Sequence, residues 1–86
     1  MIARLVDCKK GTKVRVSKIA AGRGAILNLM NMGVVVGNVI EVGKSSQLHG
    51  PVLVKYQESD IAIGYGLAEK IIVEGIESGI YPDWTT

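Results

Sequence analysis

Glycine spacing is the feature of this sequence that most restricts its fold. Eleven glycines are distributed over 86 residues, and the segments between them are mostly short and rich in Val, Ile and Leu. In the clearest of these segments, Val14 and Val16 alternate with Lys13 and Arg15. A period of two is that of a half-buried β-strand. Ile19 breaks this alternation because Lys18 takes the next inward position, so we predict a β-bulge or the end of the strand near Lys18.

The remaining elements follow from the same kinds of signal. Further strands are predicted over 34–43, 51–57, 60–65 and 71–74. A helix is predicted from Ala25 to Met32, with Gly33 placed to end it, and 66–70 is interpreted as a single helical turn. Many short strands separated by close turns are typical of a small barrel. We therefore expect a mainly β protein, a barrel of about five strands with one short α-helix and a one-turn helix.

The composition argues against several classes of protein. A net charge of +2, with three Tyr, one Trp and no Phe, offers little for binding nucleic acid. An interpretation as a nucleic-acid-binding barrel through Lys13, Arg15 and Lys18 is kept as a minor alternative. The single cysteine permits no internal disulfide. The longest apolar run, 34–40, is far shorter than the roughly 20 residues of a membrane-spanning helix, so we expect no membrane insertion.

We recognise no catalytic or metal-binding constellation in the sequence. His49 and Cys8 are each the only residue of their type, whereas a structural zinc site needs four ligands at short spacings. The serines have no local base and no nucleophile-elbow motif. The segment Gly22-Arg23-Gly24 lacks the length and the lysine of a phosphate-binding loop. We predict that the chain is not an enzyme and holds no cofactor or metal of its own.

The predicted helix carries more apolar residues than one buried face requires. Ile26, Leu29 and Met30 have the spacing of a core-facing stripe, which leaves Leu27 toward the side or the outside. Surplus apolar residues indicate a second contact surface, and methionine suits a surface that must adapt to a partner. The residues predicted to contact a partner are Leu27, Met30, Asn31 and Arg23.

Four motifs follow one another along the chain. They are Leu-Val-Asp-Cys-Lys-Lys-Gly, a helical segment that ends in Met-Gly before a strand, a Gly-Pro strand, and Ala-Glu-Lys ahead of the last strand. Their positions are 5–11, 26–42, 50–56 and 60–73. In this order the motifs resemble the ferrous iron transport protein A (FeoA) family.

The resemblance implies an SH3-like β-barrel and a function in iron uptake. A family member would be a small cytoplasmic accessory protein that binds and regulates FeoB, the GTP-driven ferrous iron permease. Binding of a transition-metal ion is therefore expected at the level of the family, and not at a site on this chain. The barrel is also similar to the C-terminal barrel of metal-dependent repressors of the diphtheria-toxin repressor type. The alternative function is therefore a free-standing regulatory module of a metal-dependent transcription regulator.

The pattern also divides the chain into a domain and a tail. We expect an FeoA-like barrel domain over 1–76 and a C-terminal tail over 77–86. The tail contains Ile80, Tyr81 and Trp84, which are suited to docking on a groove of the same or a neighbouring molecule. A homo-oligomer is left open on this ground.

Overall fold

Six short strands and two helices follow one another along the chain. The computed structural model describes residues 2–76, so the predicted tail at 77–86 lies outside the described residues. The elements are β1 (Ile2–Arg4), a 3-10 turn (Leu5–Asp7), β2 (Lys13–Ile19), α1 (Arg23–Asn31), β3 (Val39–Lys44), β4 (Val52–Tyr56), β5 (Ser59–Ile63), α2 (Tyr65–Ala68) and β6 (Ile71–Gly75).

The strands form one antiparallel sheet in the order β1-β6-β2-β3-β4-β5. The sequence analysis did not predict β1, because three residues are too few to show an alternation. In the structure β1 pairs with β6, with Ile2 opposite Glu74 and Arg4 opposite Ile72. The sheet therefore has one strand more than the five expected, and its first and last strands in the chain are neighbours.

Of the two alternatives predicted near Lys18, a bulge or a strand end, the structure shows the bulge. The register between β2 and β6 shifts between Val16 and Lys18, and beyond the shift Ile19 lies opposite Ile71. Val14 and Val16 are buried before the bulge, as their alternation predicts. Ile19 is half-buried and packs against the edge of the core.

The helix α1 spans Arg23–Asn31, so it begins two residues earlier than predicted. The prediction that Gly33 ends it is confirmed, since Gly33 has φ +97°, a conformation that disfavours any residue with a Cβ. The N–H groups of Gly33 and Val34 donate to the carbonyl oxygens of Met30 and Leu29, at 3.0 and 2.8 Å. This is the Schellman motif, which satisfies the last carbonyl groups of a helix.

The strand predicted over 34–43 begins only at Val39. The chain bends before it, because Gly37 has φ +100°. The N–H of Gly37 donates to the carbonyl oxygen of Val16 at 2.8 Å, and the N–H of Val16 donates to that of Asn38 at 2.9 Å. These two bonds hold the loop between α1 and β3 against β2.

Aliphatic side chains fill the core. The largest fully buried side chains are Leu5, Val14, Val16, Leu29, Val34, Ile40, Val42, Val52, Val54, Ile63, Ile71 and Val73. They come from every strand but β1, and within residues 2–76 no polar or charged residue is buried with them. The alternation predicted in β2 is confirmed, and β3, β4 and β5 likewise have buried residues at alternate positions.

The thiol of Cys8 gives the stability of the protein a pH dependence. Cys8 is 5% exposed and donates to the carbonyl oxygen of Arg4 at 3.6 Å. Burial raises the pKa of the thiol, and the nearby carboxylate of Asp7 raises that pKa further. The folded chain thus keeps this proton to higher pH than the unfolded chain does. The contribution to stability is present below the ordinary thiol pKa of about 8.5 and is lost as the pH rises above it.

We expect urea unfolding to show this loss as a difference between two proteins. The free energy of unfolding of the wild type should fall more steeply above pH about 8.5 than that of Cys8→Val, which has no thiol to titrate. Parallel pH profiles of the wild type and the variant would contradict the expectation.

Candidate functional site

An apolar groove opens beside α1. It has a volume of about 300 Å³ and lies between the helix, the end of β2 and the loop that follows the helix. Its lining residues are Ile19, Ile26, Met30, Val34, Val35 and Val36. Val34 is fully buried and forms the floor. We call this feature the helix groove.

Three local features hold the helix groove in shape. The bulge in β2 sets the register of Ile19, the residue of β2 that lines the groove. Leu29, fully buried, anchors α1 to the core. The side-chain amide of Asn38 donates to the carbonyl oxygen of Gly33 at 2.8 Å and closes the loop on itself. The groove is therefore formed before any partner arrives, which lowers the entropy lost on binding.

Met30 is the one predicted contact residue that also lines the helix groove. Its side chain is 50% exposed, so the expectation that it belongs to a core-facing stripe is wrong. Of that stripe Leu29 is fully buried and Ile26 only half-buried. Val34, the residue after Gly33 in the Schellman motif, is fully buried, so Val34 rather than Met30 contributes to the core at this end of α1.

The other three predicted contact residues lie on the outward side of α1. Leu27 is 49% exposed, as the sequence analysis expected, and Arg23 and Asn31 are exposed as well. Residues four apart stand above one another on a helix, so these three form one stripe next to Met30. The structure brings all four together on one helix surface. Their role as partner contacts stays a prediction.

The sequence analysis missed part of the groove lining. Ile19 was interpreted as the residue that breaks the strand phase, and Val35 and Val36 were interpreted as strand. Val36 is 60% exposed, and Met32, just beyond α1, is 42% exposed. A run of valines that ends in a glycine was the available signal, but it does not distinguish a buried strand from an exposed loop.

The first two basic residues of β2 have acidic residues opposite them. Lys13 lies opposite Glu41 in β3, and Arg15 lies opposite Glu74 in β6. Glu41 in turn lies opposite Lys55 in β4. Opposite charges in directly opposed positions stabilise a sheet, and here they also balance the positive charge of β2. This arrangement argues against the nucleic-acid interpretation.

Glu41→Lys is expected to lower the free energy of unfolding by about 1 kcal/mol, because it places a lysine between Lys13 and Lys55. The loss should shrink at high salt, where exposed charges are screened. Glu58→Lys makes the same charge change in the turn after β4 and is the matched control. Equal losses in the two variants, measured by urea unfolding, would contradict a cross-strand effect.

The described residues hold few other chemical groups of interest. Within residues 2–76 no group of three or more His, Cys, Asp or Glu is placed to hold a metal ion. His49 is exposed in the loop before β4, with its ring centroid 4.6 Å from that of Tyr65. The helices of this part of the chain are too short or too polar to cross a membrane. The helix groove is therefore the strongest candidate site among the described residues.

An antiparallel six-stranded sheet around an aliphatic core, with one short helix beside it, defines a small SH3-like barrel. The family model of the FeoA domain matches residues 3–75. The match covers nearly all of the described residues, and the chain belongs to the FeoA family.

Known proteins support this assignment. A protein of Methanocaldococcus jannaschii named "Putative Fe(2+) transport protein A" is 44% identical over 75 residues, which cover 87% of this chain and 89% of that protein. A crystal structure of an iron uptake regulatory protein (FeoA) is 32% identical, with a TM-score of 0.81 over 88% of this chain and 100% of that chain.

Two further structures resemble the chain in fold alone. A manganese-dependent transcriptional repressor matches with a TM-score of 0.76 and 18% identity, over 87% of this chain and 42% of that chain. IdeR of T. acidophilum matches with a TM-score of 0.74 and 22% identity, over 87% of this chain but only 34% of that chain. The barrel is therefore also found as a minor part of a longer regulator.

Proposed function

We propose that this chain is an accessory protein of ferrous iron uptake that binds the cytoplasmic part of the permease FeoB. The docking surface is the helix groove together with the outward stripe of α1. The observation that carries the proposal is the exposure of Leu27 and Met30 beside a preformed apolar groove. Membership of the FeoA family, and the Fe(2+) transport name of the M. jannaschii relative, supply the transport context.

The exposed apolar side chains set a scale for the affinity of this surface. Four of them, Leu27, Met30, Met32 and Val36, are between 42% and 60% exposed. Full burial of such a side chain is worth about 1.5–3 kcal/mol, so covering these four yields roughly 3–6 kcal/mol before the costs of association. A micromolar complex needs about 8 kcal/mol. Contacts to the half-buried lining of the groove and to polar groups at its edge would supply the remainder.

The proposed action is binding rather than catalysis. A bound accessory protein shifts the equilibrium between two states of the permease only by its difference in affinity for them. Because the proposed contact is the cytoplasmic part of FeoB, the protein would act on that side of the membrane. Iron is the cargo of the permease and is not a ligand of this chain in the proposal.

The test is calorimetric titration of the full chain with the soluble cytoplasmic domain of FeoB, with and without GTP. Leu27→Glu and Met30→Glu are each expected to weaken binding at least tenfold, because a carboxylate would be buried against an apolar partner. Leu48→Glu is the matched control, since Leu48 is an exposed leucine (102%) in the loop between β3 and β4.

Two results would count against the proposal. Binding that persists in both α1 variants would place the contact elsewhere on the chain. Absence of binding by the wild type in every nucleotide state would remove the soluble domain of FeoB as the partner. Circular dichroism of each variant confirms that the barrel still folds.

The alternative, a regulatory module of a metal-dependent transcription regulator, has the fold likeness to IdeR as its support. Deletion of the gene should then change the levels of metal-regulated transcripts even in cells without the permease. The permease proposal predicts no such change in those cells.

A further inference from the structure

Basic residues without an acidic residue opposite them lie near one end of the helix groove. Residues 8–40 contain six Lys and Arg but no Asp or Glu. The two preceding basic residues of β2 have acidic partners across the sheet, whereas Lys18 lies opposite Ile72. Arg23 is exposed at the start of α1, one turn before Ile26. Lys18 and Arg23 therefore lie where β2 ends and α1 begins.

A third cation borders the same end of the groove. The backbone N–H of Ala20 donates to the carbonyl oxygen of Lys70 at 2.8 Å, so Lys70 lies beside the connection between β2 and α1, and it is exposed. The acidic residue next to it, Glu69, is turned to Arg4 at 3.2 Å. Lys18 adjoins Ile19, Arg23 lies one turn before Ile26, and the backbone of Lys70 is bonded to the residue after Ile19. We call these three exposed cations the rim of the groove.

We infer that the helix groove takes an acidic amphipathic segment of the partner protein. Its apolar side chains enter the groove, and its carboxylates lie against the three cations of the rim. The inference deepens the proposed function and rests on it. Charge complementarity across an interface accelerates association and selects the partner, because like charges brought together weaken binding. An amphipathic helix with apolar anchors one turn apart has the required pattern.

A protein segment fits this site better than an anionic membrane does. The groove is concave and has Val34 as its floor, so it admits single side chains rather than a flat lipid surface. Membrane-binding clusters commonly contain about 4–8 Lys and Arg, more than the rim provides.

The test uses two matched helical peptides and isotope-labelled full-length protein. One peptide carries two leucines one turn apart with flanking glutamates, and the other carries lysines in place of the glutamates. In NMR titrations the acidic peptide is expected to bind at least tenfold more tightly and to shift the resonances of the groove residues. The difference should shrink as NaCl is raised from about 50 mM to about 500 mM.

Charge-reversal variants locate the effect. Lys18→Glu and Arg23→Glu are each expected to weaken binding of the acidic peptide at least fivefold, whereas Lys44→Glu, at the end of β3, leaves it unchanged. The inference is overturned by equal affinity for the two peptides or by failure of the acidic peptide to bind. Tighter binding to phosphatidylserine vesicles than to the peptide also overturns it, in favour of a membrane surface.

The permease titration separates this inference from the proposed function. If the acidic peptide binds as expected but the FeoB domain does not, the chemistry of the groove stands and the identity of the partner is wrong. If the FeoB domain binds through Leu27 but Arg23→Glu and Lys18→Glu bind it as tightly as the wild type, the charge inference is wrong and the permease proposal stands.

Discussion

Gly33→Ala is expected to lower the free energy of unfolding by about 3 kcal/mol or more, the largest effect we expect from adding one methyl group to this protein. Two costs combine. The residue has φ +97°, which costs an L-residue roughly 1–2 kcal/mol. A Cβ at this position would also lie 2.6 Å from Cε2 of Tyr56, and closer still to Cδ2. Such overpacking typically costs about 1–3 kcal/mol.

Gly37→Ala is the matched control for this prediction. Gly37 has a similar φ of +100°, but a Cβ there would meet nothing within 4 Å. The free energy of unfolding that Gly37→Ala loses, measured in urea, should therefore reflect the backbone conformation alone, about 1–2 kcal/mol. In the double variant Gly33→Ala/Tyr56→Ala the contact with the ring is absent, so the two losses should not add. Equal losses for Gly33→Ala and Gly37→Ala would show that the approach of Tyr56 carries no energy.

Leu29→Ala is expected to lower the free energy of unfolding by about 2–5 kcal/mol. Leu29 is the one side chain of α1 that is fully buried, and its loss leaves a cavity between the helix and the sheet. Small domains have a stability of about 5–15 kcal/mol, so this variant should lose much of its resistance to urea. The helix groove should be disturbed with it, because Leu29 anchors one of its walls.

Leu27→Ala is the control on the same helix. Leu27 is 49% exposed, so its truncation removes little buried area, and we expect a loss of less than about 1 kcal/mol. The same substitution two residues apart thus separates stability from docking. Leu27→Ala should fold like the wild type and still bind the permease domain more weakly. A loss of stability as large as that of Leu29→Ala would show that Leu27 belongs to the core.

These variants distinguish the residues of α1 that stabilise the fold from those proposed to bind a partner. Leu29 attaches the helix to the barrel, and the outward stripe with Met30 is available to a partner. An α1 variant that keeps the stability of the wild type but loses binding therefore reports on the docking surface. A variant that loses both reports on the fold, and cannot be used to locate the partner.

Local signals in the sequence were sufficient for much of the fold. The alternation of Val14 and Val16 with charged residues indicated a half-buried strand, since a pleated strand has a period of two. The change of phase near Lys18 indicated a bulge or a strand end for the same reason, and the pairing with β6 decided for the bulge. Gly33 was identified as the end of α1 because glycine readily adopts a positive φ.

Features that depend on distant partners were not predicted. β1 is defined by its pairing with β6, whose residues are about 70 positions away, and nothing within three residues encodes that partner. The strands predicted over 51–57 and 60–65 leave 58–59 for the turn between β4 and β5. In the structure Ser59 already pairs with Tyr56, and Gln57 turns the chain with φ +56°. Glutamine is not among the residues that are typical of turns, so the sequence did not indicate a positive φ at this position.

The candidate site shows the same division. The sequence by itself determined that α1 has more apolar residues than one buried face needs, and it pointed to Leu27 and Met30. Only the tertiary structure decided that Met30 is half-exposed while Val34, beyond the end of the helix, is fully buried. The structure alone also placed Ile19 and Val36 along the same groove. Periodicity reports which residues share a face of one element, but a groove between three elements exists only after they have packed together.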